Sequence, residues 1–362
     1  AERAGEAGGP TREDEKEDEE RDDEAYPNPY LLMHWLHAED APIKLYGWLQ
    51  GSYTANPGLP HGGENFGVYP NYQANQGQFQ QIYFVLERRL RETDQFDYGF
   101  RIDNFLGYGW QNFRGIGFLK GFDLDHGFGW DPVQFYGEAH LPILTEGGVD
   151  LKLGRFWALP GYEDGIAPGR SLLSTSYMFT YAQPITQLGL MSTWHVTDRI
   201  NLYNGVNLYN TTVNSGDRPV KLHNVWGYAG GFSWDAPDDR TNLTVTMDLG
   251  SNLFPPYSSQ FAPPRMRPQP PVNRASAAQV DQPDQFAALL TEVLIHEWTD
   301  RFSTAFEADQ AFETGVLNPS PAGGTMTASW FGLGAWATYD LTERWTTVAR
   351  LERFQDVGGT RT

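Results

Sequence analysis

The chain has 362 residues, no cysteine, 14% aromatic side chains and a formal charge of −20. Without cysteine there is no disulfide scaffold and no Cys-ligated zinc, and an acidic balance with no basic patch excludes a nucleic-acid partner. Mean hydropathy is negative although Trp, Tyr and Phe are abundant, which suits a wall that is greasy on one side and wet on the other.

Residues 1–28 come first as an acidic tail. Positions 1–24 carry twelve acids and four bases, and a run such as EDEKEDEERDDE has nothing apolar to bury, so it is expected to be disordered. It is read as a solvated tail, with contact to an envelope component as the alternative. The opening AERAGEAGG is expected to be the start of a mature chain whose export signal has been removed. Residues 29–42 form a short periplasmic helix or linker, since Tyr30–Leu36 is apolar enough for one or two helical turns.

From residue 43 to 362 the pattern changes to period two, the mark of strands with two unlike faces. In 95–106, Phe96, Tyr98, Phe100, Ile102 and Leu106 share one side, opposite Gln95, Asp97, Gly99, Arg101 and Asp103. In 133–141, Val133, Phe135, Gly137, Ala139 and Leu141 oppose Gln134, Tyr136, Glu138 and His140. In 242–249, Leu243, Val245, Met247 and Leu249 oppose three polar residues and Asp248. Thirteen such segments are visible, at 43–53, 79–90, 95–106, 133–141, 148–157, 185–195, 200–209, 223–234, 242–249, 287–298, 301–309, 327–339 and 344–354.

The connections alternate short and long. Short ones carry pairs such as Thr299-Asp300, suited to tight turns. Long ones lie at 54–78, 109–132, 158–184, 210–222, 250–286 and 310–326. A soluble sandwich has no reason to keep every second loop short, whereas outer-membrane barrels turn short loops to the periplasm and long ones outward. No run of about 18 apolar residues offers a transmembrane helix, and membrane strands need none. The fold class predicted is all-β: an antiparallel up-and-down transmembrane barrel embedded in outer-membrane lipid.

Several stretches resemble the β-barrel porins of the OmpL-like outer-membrane family. They are Leu45-Tyr-Gly-Trp-Leu-Gln-Gly-Ser-Tyr-Thr-Ala-Asn56, Gly154-Arg-Phe leading to Gly161-Tyr-Glu163, Ala182-Gln-Pro184 followed by Gly189, and Ala349-Arg-Leu-Glu-Arg-Phe-Gln-Asp356. The resemblance spans residues 40–356 and implies a barrel with a transport role and no catalytic residues. Family members continue past the last of these motifs, and single-chain bacterial barrels have even strand numbers. About sixteen strands are therefore expected when the chain is complete, its last strands being absent here.

Chemistry is sparse. There is no Gly-x-Ser-x-Gly elbow, no His-Glu-x-x-His and no phosphate-binding glycine loop, so an outer-membrane enzyme is the last alternative. No cofactor is expected. Asp123, Asp125 and Asp131 flank Gly127 with a spacing that can wrap calcium, but solvated loop acids explain it as well. Tyr46, Trp48 and Tyr136 fall on polar faces, where they would either stack on sugars or fill a wide wall.

The function expected is passive diffusion of small hydrophilic solutes or ions through a water-filled channel. The rivals are a sugar-selective channel and a plugged structural barrel anchoring a surface layer. A homotrimer is expected by analogy with general porins. The pore-lining candidates are Lys44, Asp97, Arg101, Asp103, Glu138, His140, Asp150, Lys152, Arg350 and Glu352. Glu87, Asp248, Glu292, Glu307 and Arg89 complete the lumen charges, with acids in excess. The long connection 158–184 is the candidate constriction, because Tyr162, Glu163, Asp164 and Arg170 bring both signs of charge to one place. The alternative is that it lies over the outer rim.

Overall fold

The computed structural model describes residues 30–61, 63, 65, 73–91, 94–113, 122–125, 128–212, 226–250, 286–317 and 325–358. The acidic tail 1–28 lies outside them. A short helix, α1 (Leu31–Trp35), leads into β1 (Lys44–Tyr53), β2 (Gly77–Arg88), β3 (Asp97–Gly107), a helical turn α2 (Trp110–Phe113) and the short strand β4 (Phe122–Asp125). Next come β5 (Phe128–Leu141), β6 (Val149–Trp157), a π-helical turn (Met178–Ala182), β7 (Pro184–Thr197) and β8 (Ile200–Thr212). The remainder is β9 (Gly227–Asp235), β10 (Thr241–Gly250), β11 (Ala287–Thr299), β12 (Phe302–Leu317), β13 (Thr325–Thr342) and β14 (Trp345–Val357).

Thirteen strands follow one another in a single antiparallel sheet in chain order, and β4 pairs beside the path with β5. The sheet is not closed: among the described residues β1 and β14 are its two edges. Short connections such as 198–199, 300–301 and 343–344 alternate with long ones such as 158–183, as the spacing predicts. β12 and β13 extend beyond 301–309 and 327–339, because cross-strand pairing runs on from Asp309 through Glu313 against Ala328–Gly332.

Burial along the strands is inside out relative to a soluble protein. In β10, Thr244, Thr246 and Asp248 are buried while Met247 is exposed. In β3, Asp97 and Asp103 are buried, whereas Tyr98 is 58% exposed. Leu49, Phe84, Leu153, Leu190 and Val206 are exposed in the same way. The concave face thus collects polar groups and the convex face is apolar, which is the stable arrangement only where the convex face meets lipid.

Two sequence assignments are corrected. Val133 does not share the convex face with Phe135: it is fully buried in an interior cluster with Tyr83, Phe105 and Phe113. The cause is a β-bulge, for Asp103 pairs Gln134 but Phe105 pairs Asp131, so two β5 residues, Pro132 and Val133, oppose the single Asn104 on β3 and the alternation slips. Glu292 does not face the interior. It is exposed on the convex face, opposite Val245 and Ala308. Its neighbours Leu289 and Val293 turn inward instead, where Met178 and Trp336 belong to the same buried cluster.

Placing Arg at Phe100, on the convex face in mid-strand, should destabilise the chain by about 2–4 kcal/mol, against about 0–1 for Arg at Tyr98 near the short-turn rim. Reversible denaturant unfolding in lipid vesicles measures both, and equal costs at the two depths would contradict the sidedness.

Candidate pore and inward loop

The concave face of β1, β2, β3 and β5 carries a network centred on Arg101. Its guanidinium pairs Asp103 at 2.8 Å and Glu87 at 3.2 Å. Arg89 reaches Glu87 at 2.9 Å. Tyr46 donates its hydroxyl to Glu87 at 2.9 Å, and Tyr83 and Gln134 donate to Asp103 at 2.6 and 2.8 Å. Both carboxylates are buried, so each lone pair needs a donor, and the wall supplies them. Further along, Lys152 lies over the Tyr136 ring at 4.5 Å and pairs in register with Glu138. Asp150 accepts from or pairs with two imidazoles, His140 at 2.6 Å and His195 at 3.0 Å. Asp97 sits near the short-turn rim, paired to Arg88 at 2.9 Å. Lys44 lies at the mouth beside the N-terminal segment, donating to the Glu39 carbonyl, with the Tyr30 ring 5.3 Å away.

Residues 158–183 cross the interior. On one side Gln81 of β2 anchors the segment: its amide nitrogen donates to Gly165 O at 2.9 Å and its oxygen accepts from Ala167 N at 3.0 Å. Arg170 donates to Gln50 of β1 at 3.4 Å. On the other side Arg350 of β14 pairs Glu163 at 2.7 Å and donates to Ser174 O at 2.6 Å. Trp336 of β13 also donates to Glu163, at 3.0 Å, and Tyr177 N donates to Glu352 at 2.6 Å. Gln183 donates one amide to Glu307 and to Asp309, at 2.9 Å for the latter. Tyr162 lies 4.8 Å from the Trp336 ring, and burial there pushes its hydroxyl pKa up to about 12.

One segment therefore touches strands at both edges of the sheet, which requires the sheet to curl around it. Small residues make the room: a Cβ on Gly332 or Gly334 would meet Met178 at 2.4 Å. Asp164 stabilises the tip by accepting from Ile166 N at 3.0 Å. The four loop residues singled out in the sequence thus lie inside, but on different walls. Glu163 joins the β13–β14 side and Arg170 the β1 side, so they do not meet each other.

The acidic trio at 123–131 is not gathered into one site by what is described. Asp131 is buried and paired to Arg155 at 2.8 Å, and the side chains of Asp123 and Asp125 lie outside the described residues. The anchors Gln81, Gln183 and Trp336 are absent from the sequence-derived site. The inward position of Gln81 and Trp336 is readable from alternation, whereas Gln183 lies in the inward segment itself; all three find partners more than eighty residues away along the chain, which follow only from the path of the loop.

Residues 42–362 match the family described as “Putative beta-barrel porin-2, OmpL-like”. No curated protein matches the chain in sequence. Among solved structures, the outer membrane channel DcaP of Acinetobacter baumannii is similar with a TM-score of 0.49 and 8% identity, over 88% of this chain and 80% of that one. A mutant of the Rh. blastica porin is similar with a TM-score of 0.36 and 10% identity, over 87% and 97% respectively. Both likenesses are loose, so the family match carries more weight than either structure.

Arg155 is fully buried and donates to Asp131, Pro132 O and Phe113 O. Replacing it by Met strips a buried carboxylate of its partner, at a cost of about 3–5 kcal/mol. The expected result is a lower denaturation midpoint, with Asp131→Asn in the same chain recovering part of it. A full-stability Arg155→Met variant would contradict the pairing.

Proposed function

Because the chain belongs to the OmpL-like β-barrel porin family, we propose that it is an outer-membrane channel for passive diffusion of small hydrophilic solutes or ions, constricted by residues 158–183. The observation that carries this reading is the inward segment itself. It brings Glu163 and Arg350 together at 2.7 Å inside a polar concave wall whose convex face is apolar. A segment that narrows the interior selects by size, and charges left unmatched along the wall bias it by sign. No cofactor enters the proposal.

Acids exceed bases along the concave face. Glu292 leaves the set, but Asp309 and Glu313 are buried there too. Fixed negative charge raises the local cation concentration. In a wet lumen the field reaches only about 8 Å at physiological salt and about 3 Å at 1 M. The channel should prefer cations mildly at low salt and lose the preference as salt rises. The reversal potential across a KCl gradient in a planar bilayer measures this, and an anion preference at low salt would end the cation reading.

A plugged structural barrel is the second reading. It is favoured by the apolar packing of Tyr162, Met178 and Ala182 against Val293, Trp330 and Trp336, and of Phe179 against Tyr83 and Val85. Conductance separates the two. A constricted porin conducts as it stands, and Arg350→Ala or deletion of 162–170 raises its conductance. A plugged barrel is silent until the segment is removed.

A further inference from the structure

Residues 158–183 fasten to their walls by different chemistry. On the β14 side Glu163 is matched by Arg350 at 2.7 Å. On the β2 side Gln81 meets backbone groups through neutral hydrogen bonds. On the β12 side the wall presents two buried carboxyls, Glu307 and Asp309, and the donors that meet them are all neutral. Gln183 Nε2 donates to both acids. Tyr162 N donates to Glu307 at 3.3 Å, and Thr291 of β11 donates to Asp309 at 2.6 Å. A Cβ on Gly161 would run into Gln183 Oε1, so the bare backbone there lets the amide oxygen lie against the chain while its nitrogen faces the acids.

Two oxygens that accept from one nitrogen lie within about 6 Å of each other. The elements packed around them bring no cation. The cross-strand neighbours of Glu307 are Val293 and Gly334, and those of Asp309 are Thr291 and Gly332. The inward segment adds Tyr162 and Glu163, and β12 itself adds Glu313 further along. Arg350 is engaged by Glu163 and Glu352. Two like charges this close, out of water and uncompensated, do not both persist, so the attached pair keeps one proton. Once the segment leaves the wall, water reaches both groups, and hydrated carboxyls ionise together at neutral pH. Attachment therefore takes up one proton. Linkage then weakens it about tenfold per pH unit wherever the attached pair holds that proton and the detached pair does not.

We propose that Glu307 and Asp309 are positioning residues for the constriction: a proton held by the pair fastens residues 158–183 to β12, and its loss frees the segment from that wall. The proposal rests on the channel reading above. The two acids set where the segment lies and thereby how far it narrows the interior. The contacts at Gln81 are neutral and the one at Glu163 is a matched pair, so neither depends on a proton being held, and the β12 side alone loosens as pH rises.

In a planar bilayer at fixed salt, conductance of the native chain should rise at least about twofold from about pH 6 to about pH 9. Glu307→Gln leaves one carboxyl beside a neutral amide, so its conductance should hold the low-pH value across that range, and Asp309→Asn should behave alike. The Tyr162 hydroxyl, which burial pushes up to about 12, stays protonated throughout. A second readout needs no current. The chain lacks cysteine, so Ala182→Cys, buried beside Gln183, is a single reporter. Its maleimide labelling rate, divided by the rate for the same thiol in the Glu307→Gln chain at the same pH, should climb at least about fivefold over the range. The ratio cancels the thiol's own ionisation, and heat-modifiable migration on gels checks that each variant is folded. A conducting native chain with a flat pH profile, a pH response that survives in both Glu307→Gln and Asp309→Asn, or a flat labelling ratio overturns the proposal. Failure of the channel reading is distinct: a silent barrel whose labelling ratio still climbs keeps the proton-held attachment and loses only the channel.

Discussion

The hydrocarbon of a bilayer offers no hydrogen bond to a strand, so every polar group the wall carries must be satisfied by the chain itself. That constraint organises the molecule. Backbone groups are met by strand pairing across the thirteen-strand path. Polar side chains are turned to the concave side, where they need partners of their own. Arg101 holds Glu87 and Asp103, Arg155 holds Asp131, and two histidines share Asp150. A buried charge would be costly alone. Register brings Arg101 opposite Glu87 and His140 opposite Asp150, whereas Asp103 lies two residues along the same strand from Arg101 and Arg155 reaches along β5 to Asp131.

The inward segment follows from the same constraint. A wide sheet leaves more interior surface than its own side chains can satisfy. Residues 158–183 supply backbone donors and acceptors to Gln81, Glu307 and Glu352 and apolar side chains to the clusters around Trp336 and Tyr83. The segment is thus bound by its backbone to polar wall positions and by Met178 and Phe179 to apolar ones. Constriction and packing are one arrangement, because whatever narrows the interior also satisfies it.

This explains how far the sequence could be read. Period-two alternation marks strands and faces wherever the inside is wet, as in Asp97–Asp103 and Thr244–Asp248. It fails at β11, where the loop makes the inside apolar: Leu289 and Val293 turn in and Glu292 turns out. It fails at Val133 because a bulge adds a residue there, and its one sign in the sequence is Pro132, which cannot donate to the ladder inside a central strand. Glu163 and Arg170 were legible as loop charges. Their partners Arg350 and Gln50 were not, since contacts 187 and 120 residues apart depend on how the sheet curls.

The distribution of paired and unpaired charge also limits what the interior can do. Glu87, Asp103 and Asp131 are each bound by a guanidinium, so close to the wall their fields are nearly cancelled. Glu307 and Asp309 share the Gln183 amide instead of a cation, and Glu352 has both the Tyr177 backbone and Arg350. Two buried carboxyls beside one neutral amide do not both carry full negative charge without a cation to offset them. Near β3 the acids are matched by arginines. An ion crossing the interior therefore meets less fixed charge on either side than the count of acids implies, and selectivity depends less on the total of acids than on which of them face the path unmatched and ionised.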